Sequence, residues 1–259
     1  MENAATISQD LWYNSTMKII ATSDFHGTLP EIPECDLLLI GGDVCPVWDH
    51  DRQFQADWLR STFTEWMRNQ PARMTVWIGG NHDFVLQDWR NNPRKIKELP
   101  GIYLDNSMVE IPTIIDGEPD YGRMLKIWGS PYSNQFGNWA FMKKEHDLSS
   151  IWRKIPRDID ILMVHGPMHG LGDFVGAMTW SAEKRGWDNM ETSGVHTGST
   201  SLYNQLNYDE WPNLKLFVSG HIHGAHGKYR LKEIDVHSVA HLDDQYNPTN
   251  PLVEIDYAV

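Results

Sequence analysis

Five short apolar runs, rich in β-forming residues, constrain the fold of this chain more than any other feature of its sequence. The runs are MKIIATS (17–23), DLLLIGG (36–42), MTVWIGG (74–80), IDILMV (159–164) and LKLFVSG (214–220). Nearly continuous apolarity is typical of strands covered on both faces. Between the second and third runs, apolar residues recur at helical spacing through 51–70, which predicts a strand–helix–strand unit. We therefore expect an α/β or mixed α+β fold.

Side chains that can bind metal follow all five runs. They are Asp24 and His26, Asp43, Asn81 with His82 and Asp83, His165, and His221 with His223. In layered α/β folds, sites gather beyond the carboxyl ends of the strands, so these distant positions can meet. Each motif taken singly is more often a loop or a turn. Five of them at strand ends favour one shared metal centre.

The spacing within two motifs predicts which side chains point the same way. Asp24 and His26 are two residues apart, and so are His221 and His223. In an extended backbone, residues two apart face one side. We expect each pair to serve the shared centre from an extended segment.

The motifs DFH (24–26), GGD (41–43), GNHD (80–83), HG (165–166) and GHIH (220–223) resemble, in order and spacing, those of the calcineurin-like metallophosphoesterase superfamily. Four further segments are similar to the small metallophosphoesterase-domain proteins, which are cyclic-nucleotide-phosphodiesterase-like. These segments are GSPYSNQFGNWAF (129–141), HGPMHGLGD (165–173), HTGSTSL (196–202) and YNPTNP (246–251). The resemblance implies a two-sheet metallophosphoesterase sandwich flanked by helices, with two metal ions at its edge.

The resemblance also implies a ligand set, carried over motif by motif. The first ion would be held by Asp24, His26, Asp43 and His223, and the second by Asp43, Asn81, His165 and His221, with Asp43 bridging. His82 would bind neither ion and would protonate the leaving oxygen, with Asp83 orienting its imidazole. Asp173 is expected to hydrogen-bond a ligand histidine. The expected substrate contacts are His169, His196, His226 and Trp139.

Two divalent transition-metal ions suit this chemistry, because together they activate water and offset the charge of a phosphodiester. Mixed imidazole and oxygen ligands favour Mn, Fe or Zn over Mg or Ca. We expect a binuclear phosphodiesterase that hydrolyses small diesters such as cyclic nucleotides, by attack of a metal-held hydroxide with His82 as general acid. Phosphomonoesterase and nuclease activities are alternatives. A non-catalytic, metal-stabilised binding or scaffold protein is the alternative from another class.

The composition bounds partners and location. A net charge of −13, from 22 basic and 35 acidic residues, disfavours long nucleic acids, although a small anion can bind where metal ions supply positive charge. The apolar runs are too short to cross a membrane. Residues 1–16 lack the pattern of a secretory signal and are expected to be an extension before a single domain, 17–259. Two cysteines, Cys35 and Cys45, are too few for a disulfide scaffold, which favours the cytoplasm.

Overall fold

The structure of the protein, a computed structural model, describes residues 16–181 and 186–259. The predicted extension 1–16 lies outside these residues except for Thr16, which begins the first strand. The described strands are β1 (Thr16–Thr22), β2 (Cys35–Ile40), β3 (Ala72–Ile78), β4 (Ile102–Leu104), β5 (Ser107–Ile115), β6 (Glu118–Ser130), β7 (Ser133–Asn134), β8 (Met142–Lys143), β9 (Ile161–Val164), β10 (Phe174–Ser181), β11 (Gly186–His196), β12 (Leu216–Ser219), β13 (Gly227–Leu231), β14 (Ile234–Ser238) and β15 (Val253–Ala258).

The described helices lie between these strands. They are α1 (Arg52–Trp58), α2 (Thr64–Arg68), α3 (Phe84–Trp89), α4 (Pro93–Ile96), α5 (Glu145–Trp152) and α6 (Thr200–Tyr208), together with a 3-10 turn at His223–Ala225. Within the described ranges, the helices are all too short or too polar to traverse a bilayer.

Two mixed sheets form the body of the fold. The first has the order β15-β1-β2-β3-β4, and only its pairing of β15 with β1 is antiparallel. The second has the order β13-β14-β12-β9-β6-β5, with antiparallel pairs at its two edges and parallel pairs at its centre. The five predicted strands are β1, β2, β3, β9 and β12, and each of them pairs with at least one parallel neighbour.

Side chains alternate between two buried clusters along the central strands. In β1, Ile19 and Ala21 belong to the cluster between the sheets, and the register places Leu37 and Leu39 of β2 beside them. Ile20 belongs instead to the cluster under the helices. The second sheet contributes to the first cluster Ile111, Leu125, Ile127, Ile161, Met163, Leu216 and Val218. Both faces of these strands are therefore buried, which explains their continuous apolarity.

Helices cover the outer faces of both sheets. The outer cluster joins Leu38 and Trp77 of the first sheet to Leu59 and Phe63 of the segment after β2. On the second sheet, the same cluster includes Leu162 and Phe217 together with Leu148, Trp152, Leu202 and Leu206 of α5 and α6. The expected sandwich of two sheets flanked by helices is confirmed.

The predicted helix in 51–70 is present, but it contains a π-helical turn at Leu59–Phe63 between α1 and α2. Asp51 caps its N-terminus by accepting hydrogen bonds from the amides of Gln53 and Phe54. Leu59 and Phe63 are buried, as their helical spacing predicts, but the wider turn between them was not predicted.

Gln55 ties this helix to the loop after β3. Its side chain is fully buried, and Nε2 donates to the carbonyl oxygen of His82 at 2.8 Å. Its Oε1 accepts from the amide of Val85 at 3.0 Å. The backbone around His82 is therefore held by α1, which precedes β3 in the chain.

We predict that Gln55→Leu leaves the His82 carbonyl and the Val85 amide buried without partners. Each such group costs about 1–3 kcal/mol. The melting temperature measured by calorimetry should fall by several degrees. Gln53→Leu is the matched control, because Gln53 lies exposed on the same helix and its side chain bonds, among the described residues, only to Asp57. Equal melting temperatures for the two variants would contradict the anchoring role of Gln55.

Candidate metal centre

The loops after β1, β2, β3, β9 and β12 meet where the carboxyl ends of the two sheets join. Ser23 forms the junction: its amide donates to Val239, and its carbonyl accepts from His241. The amide of Gly41 donates to the carbonyl of Thr22, and the amide of Gly220 donates to the carbonyl of His165. These bonds bring the strand ends of each sheet together. Three overlapping groups of side chains in the described part of the chain have ligand atoms within 4.8 Å of one another. These groups are Asp24, His26 and His223; His26, Asp43 and His82; and Asp43, His165 and His221.

Asp43 is shared by two of these groups. Its Oδ2 lies 3.8 Å from His26 Nε2 and 3.4 Å from His165 Nε2. Its Oδ1 accepts a hydrogen bond of 2.7 Å from the amide of His82. One carboxylate oxygen thus lies between His26 and His165, which belong to different candidate groups.

Asp24 organises the first group. Its Oδ1 lies 3.5 Å from His223 Nε2 and 3.9 Å from His26 Nε2. Its carboxylate also accepts from the amide of His221, at 2.9 Å to Oδ2, and from the hydroxyl of Ser23. The carboxylate therefore fixes the start of the GHIH segment through its backbone.

The prediction of extended backbone at the two paired motifs is wrong. Four of the expected ligands have left-handed backbone: Asp24 (φ 56°), His26 (φ 45°), Asp43 (φ 53°) and His221 (φ 72°). Such a conformation costs a non-glycine residue about 1–2 kcal/mol, so each one needs support. The amide of Asp24 donates to the carbonyl of Gly42, and the amide of His26 donates to the backbone carbonyl of Asp43. The side chains still converge, because the chain turns sharply at each strand end instead of continuing extended.

Two glycines leave space for the carboxylates. A Cβ on Gly80 would lie 2.3 Å from Asp43 Oδ1, and one on Gly220 would lie 2.2 Å from Asp24 Oδ2. Both distances are below any tolerable contact. The glycines of the GNHD and GHIH motifs therefore give the carboxylates room beside the neighbouring loops.

The ring nitrogens of the cluster fit a bound cation. His165 Nδ1 lies 2.9 Å from the carbonyl of Gly41, and His223 Nδ1 lies 2.9 Å from that of Asp243. Because a carbonyl only accepts, each Nδ1 carries the hydrogen, which leaves Nε2 of a neutral ring as a free ligand atom. His165 Nε2 lies 2.9 Å from Asn81 Oδ1, and His223 Nε2 lies 3.2 Å from His26 Nε2. Facing acceptor atoms at these distances share either a proton or a cation.

The pKa values of the cluster without metal indicate that protons and cations compete for the same ring nitrogens. Burial lowers the pKa of His165 and of His223, but Asp43 beside His165, and the hydrogen bond from His223 to Asp24, raise both to about 9. Burial lowers the pKa of His26 to about 4 and that of His221 to about 3. Protons on two of the four imidazoles therefore take the place that cations would take, and metal binding would release them.

His82 lies beside this cluster, in a pocket of rings. Its imidazole contacts Trp139 with ring centroids 4.5 Å apart and His26 at 4.6 Å. Its Nδ1 is 3.3 Å from His50 Nε2. Burial lowers the pKa of His82. Sequence reasoning did not identify His50, because a single histidine in the loop before α1 carries no signal of a contact with a residue 32 positions later.

The expectation that Asp83 orients the His82 imidazole is wrong. The buried Asp83 carboxylate instead accepts hydrogen bonds from the amides of Gly80 and Cys45, each at 2.8 Å, and from that of Val44 at 3.3 Å. A carboxylate next to His82 in sequence is thus used to join the loops after β2 and β3. Burial and the nearby Asp43 raise its pKa to about 6. Cys45 is a buried free thiol whose pKa burial raises well above its usual value.

Asp173 does not pair with a ligand histidine either. Its Oδ1 lies 2.7 Å from His196 Nδ1 and its Oδ2 lies 3.7 Å from His169 Nδ1, and both imidazoles are about half exposed. His226 donates from Nδ1 to the carbonyl of Ala240. These three histidines belong to none of the three ligand groups of the described residues. Of the four expected substrate contacts, Trp139 is the one that touches His82 among the contacts of the described residues.

Comparison with known proteins agrees with this geometry. The family model of the calcineurin-like phosphoesterases matches residues 17–225. The chain is 27% identical over 222 residues to the UPF0046 protein C25E10.12 of Caenorhabditis elegans, covering 83% of this chain and 72% of that protein. It is 25% identical over 254 residues to human metallophosphoesterase domain-containing protein 1, covering 92% of this chain and 70% of that protein.

A third relative is much longer than this chain. The match to a probable rhamnogalacturonate lyase C of Emericella nidulans is 28% identical and covers 83% of this chain, but only 18% of that protein. Among solved structures, one crystal structure superposes with a TM-score of 0.52 at 12% identity, covering 93% of this chain and 99% of its own. That similarity supports the fold.

The chain belongs to the calcineurin-like phosphoesterase family, as its motifs indicated. Membership in this family, together with the candidate ligand groups, supports a metal-dependent hydrolase that acts on phosphoesters.

We predict that Asp43→Asn lowers the metal content of both groups. Asn tolerates left-handed backbone as well as Asp does, so the loop should keep its shape while the shared negative charge is lost. Elemental analysis of protein purified with excess Mn²⁺ should show well under two equivalents. Asp49→Asn, in the loop after Asp43, is the control and should retain the wild-type content. Two full equivalents in Asp43→Asn would contradict the bridge.

Removal of metal is expected to lower the melting temperature. An ion that binds the folded chain and not the unfolded one raises the free energy of unfolding by about 2.7 kcal/mol when its free concentration is 100 times the dissociation constant. Calorimetry before and after dialysis against a chelator should show a drop of several degrees, and Mn²⁺ should restore the original value. An unchanged melting temperature, after elemental analysis has verified metal loss, would argue against a cation in this cluster.

Proposed function

We propose that this protein is a binuclear metal-dependent phosphodiesterase that hydrolyses small phosphodiesters, such as cyclic nucleotides, with His82 as the general acid. The observation that carries the proposal is the position of Asp43, with one oxygen between His26 and His165 and the other bonded to the amide of His82. The same carboxylate therefore links both ligand groups to the residue that would protonate the leaving group.

The proposed cofactors are two divalent ions, Mn, Fe or Zn. The ligands offered to them are Asp24, His26, Asp43, Asn81, His165, His221 and His223. When bound, such ions offset the charge of a diester and lower the pKa of water. Two of the ligand rings present Nε2 because their Nδ1 hydrogens are bound to backbone carbonyls, so the chain fixes these rings before any ion arrives.

His82 has the geometry of a proton donor. Its backbone is held on both sides, by Asp43 at the amide and by Gln55 at the carbonyl. Its ring is held by Trp139 and His50. A general acid must be protonated, and burial lowers the pKa of His82. A bound diester anion beside the ring would raise that pKa again, since a nearby negative charge favours the imidazolium.

The net charge favours a small substrate, and the state of the cysteines favours a reducing compartment. The net charge of −13 opposes a polyanion, whereas a small diester meets mainly the local charge of the metal centre. The two cysteines are free and buried, which supports the cytoplasm as the proposed location. Trp139, beside His82, is the proposed contact for the leaving group.

We predict that His82→Ala lowers turnover by about 10² to 10⁴ and leaves the metal content intact. The loss should be larger for phenyl esters than for p-nitrophenyl esters, because p-nitrophenolate leaves with little help from an acid. His146→Ala is the control, since His146 is exposed and pairs only with its neighbour Asp147 in the described residues. The measurements are steady-state kinetics on both esters and elemental analysis.

Two outcomes would contradict the assigned role. Unchanged turnover of the phenyl ester would remove His82 from proton transfer. Loss of metal would make His82 a ligand of the group that it forms with His26 and Asp43. Hydrolysis of monoesters in preference to diesters would favour a phosphomonoesterase, and metal binding without turnover would favour a scaffold protein.

A further inference from the structure

Two exposed aromatic rings, to which the proposed mechanism gives no role, lie beside the imidazoles of the candidate metal centre. Tyr246 is 44% exposed, and its ring centroid is 5.1 Å from that of His26 and 5.2 Å from that of His223. Phe136 is 68% exposed, and its ring centroid is 5.6 Å from that of His221. One ring therefore lies beside the group that contains Asp24, and the other lies beside the group that contains His165.

The loop that carries Tyr246, residues 241–250, is fixed to a ligand histidine. The carbonyl of Asp243 accepts from His223 Nδ1 at 2.9 Å and from the amide of Tyr246, also at 2.9 Å. The Asp243 carboxylate accepts from the amides of Gln245 and Asn247. Tyr246 has a left-handed backbone, φ 62°, which a non-glycine residue adopts only when it is held there. The position of the ring is thus built into the same hydrogen bonds that orient His223.

The loop that carries Phe136, residues 135–141, is fixed in a comparable way to another ligand. The amide of Ala140 donates to the carbonyl of Asn81 at 3.0 Å. The amide of Gln135 donates to Lys143, which closes the base of the loop. The same loop places Trp139 against His82. Two separate loops, each anchored to a ligand residue, therefore present aromatic rings beside the metal centre.

Exposure alone does not distinguish these residues, because Tyr208 is 76% exposed as well. The difference is location, since large rings that water reaches at the edge of a polar site have a free apolar surface for a ligand. A diester extends from its phosphorus atom in two directions, one for each ester group. Rings beside both ligand groups match a substrate with a flat substituent on each side.

We propose that Tyr246 and Phe136 are specificity-determining residues that bind flat ester groups on the two sides of the metal centre. The preferred substrate is then a diester that carries a ring on both ester oxygens, in preference to one with a single ring. This inference rests on the proposed function and narrows its substrate class to open-chain diesters, because both ester oxygens of a cyclic nucleotide belong to a single sugar.

The kinetic test uses two substrates with the same leaving group. Bis(p-nitrophenyl) phosphate and methyl p-nitrophenyl phosphate both release p-nitrophenolate and differ only in the retained group, which is a ring or a methyl. With the Mn²⁺-loaded protein, Tyr246→Ala and Phe136→Ala should each lower kcat/KM for the bis-aryl diester about tenfold, mainly through KM, as expected for loss of one stacking contact. The methyl diester carries only the ring of the leaving group, so its kcat/KM should fall about tenfold in one of the two variants and change less than about twofold in the other. Tyr246→Phe should retain the wild-type ratio, and Tyr208→Ala should change neither substrate.

A binding measurement keeps the test independent of turnover. The probes are diphenylphosphinate and diethylphosphinate, which carry the same negative charge as a diester but have no ester bond to hydrolyse. Calorimetric titration of the Mn²⁺-loaded protein should show tighter binding of the diphenyl compound. Tyr246→Ala and Phe136→Ala should each weaken binding of that compound alone, by about tenfold. Failure of the wild type to hydrolyse either nitrophenyl diester would overturn the proposed function, while the titration would still decide the role of the rings. Equal losses of affinity for both compounds, or none for either, would overturn the ring contacts.

Discussion

The buried carboxylate of Asp43 is the contact through which the parts of this structure meet. One of its oxygens lies near the imidazoles of His26 and His165, and the other accepts from the amide of His82. The backbone of Asp43 belongs to the loop that follows β2. Burial alone would raise the pKa of this carboxyl, but His165 and the surrounding histidines hold it well below its usual range. A charged group can persist there only because opposite charge, from protons or from cations, surrounds it.

The left-handed conformations at four of the expected ligands follow from the same constraint. These ligands lie two to four residues beyond the ends of β1, β2 and β12, so the chain must turn sharply for their side chains to reach the common centre. The turns are supported by backbone hydrogen bonds between neighbouring loops, such as those from the amide of Asp24 to the carbonyl of Gly42 and from the amide of His26 to the carbonyl of Asp43. The backbone strain is thus distributed over several loops that support one another, and the cohesion of the two sheets at this edge supplies the free energy.

Much of this arrangement could be predicted from the sequence. Continuous apolarity identified the five central strands, because burial on both faces leaves that pattern in any chain. The motifs at their ends identified most of the side chains that the structure brings together in the candidate ligand groups. The path of the backbone through DFH and GHIH could not be predicted, since alternation applies only while a strand continues. The π-helical turn at Leu59–Phe63 was equally hidden, because a single inserted residue shifts the helical period without removing it. Contacts such as His50 with His82, or Asp83 with the amide of Cys45, arise only when separate loops are brought together, and nothing local in the sequence encodes them.

A single oxygen, that of the Asp243 carbonyl, holds both the imidazole of His223 and the loop that carries Tyr246. Evolution or protein engineering that reshapes 241–250 to admit a different molecule would therefore disturb the coordination sphere as well, unless the main chain stayed in place. The accessible route to new selectivity is exchange of the side chain at position 246 on an unchanged framework. Insertions or deletions in that segment would alter affinity for the ions and recognition of the ligand together.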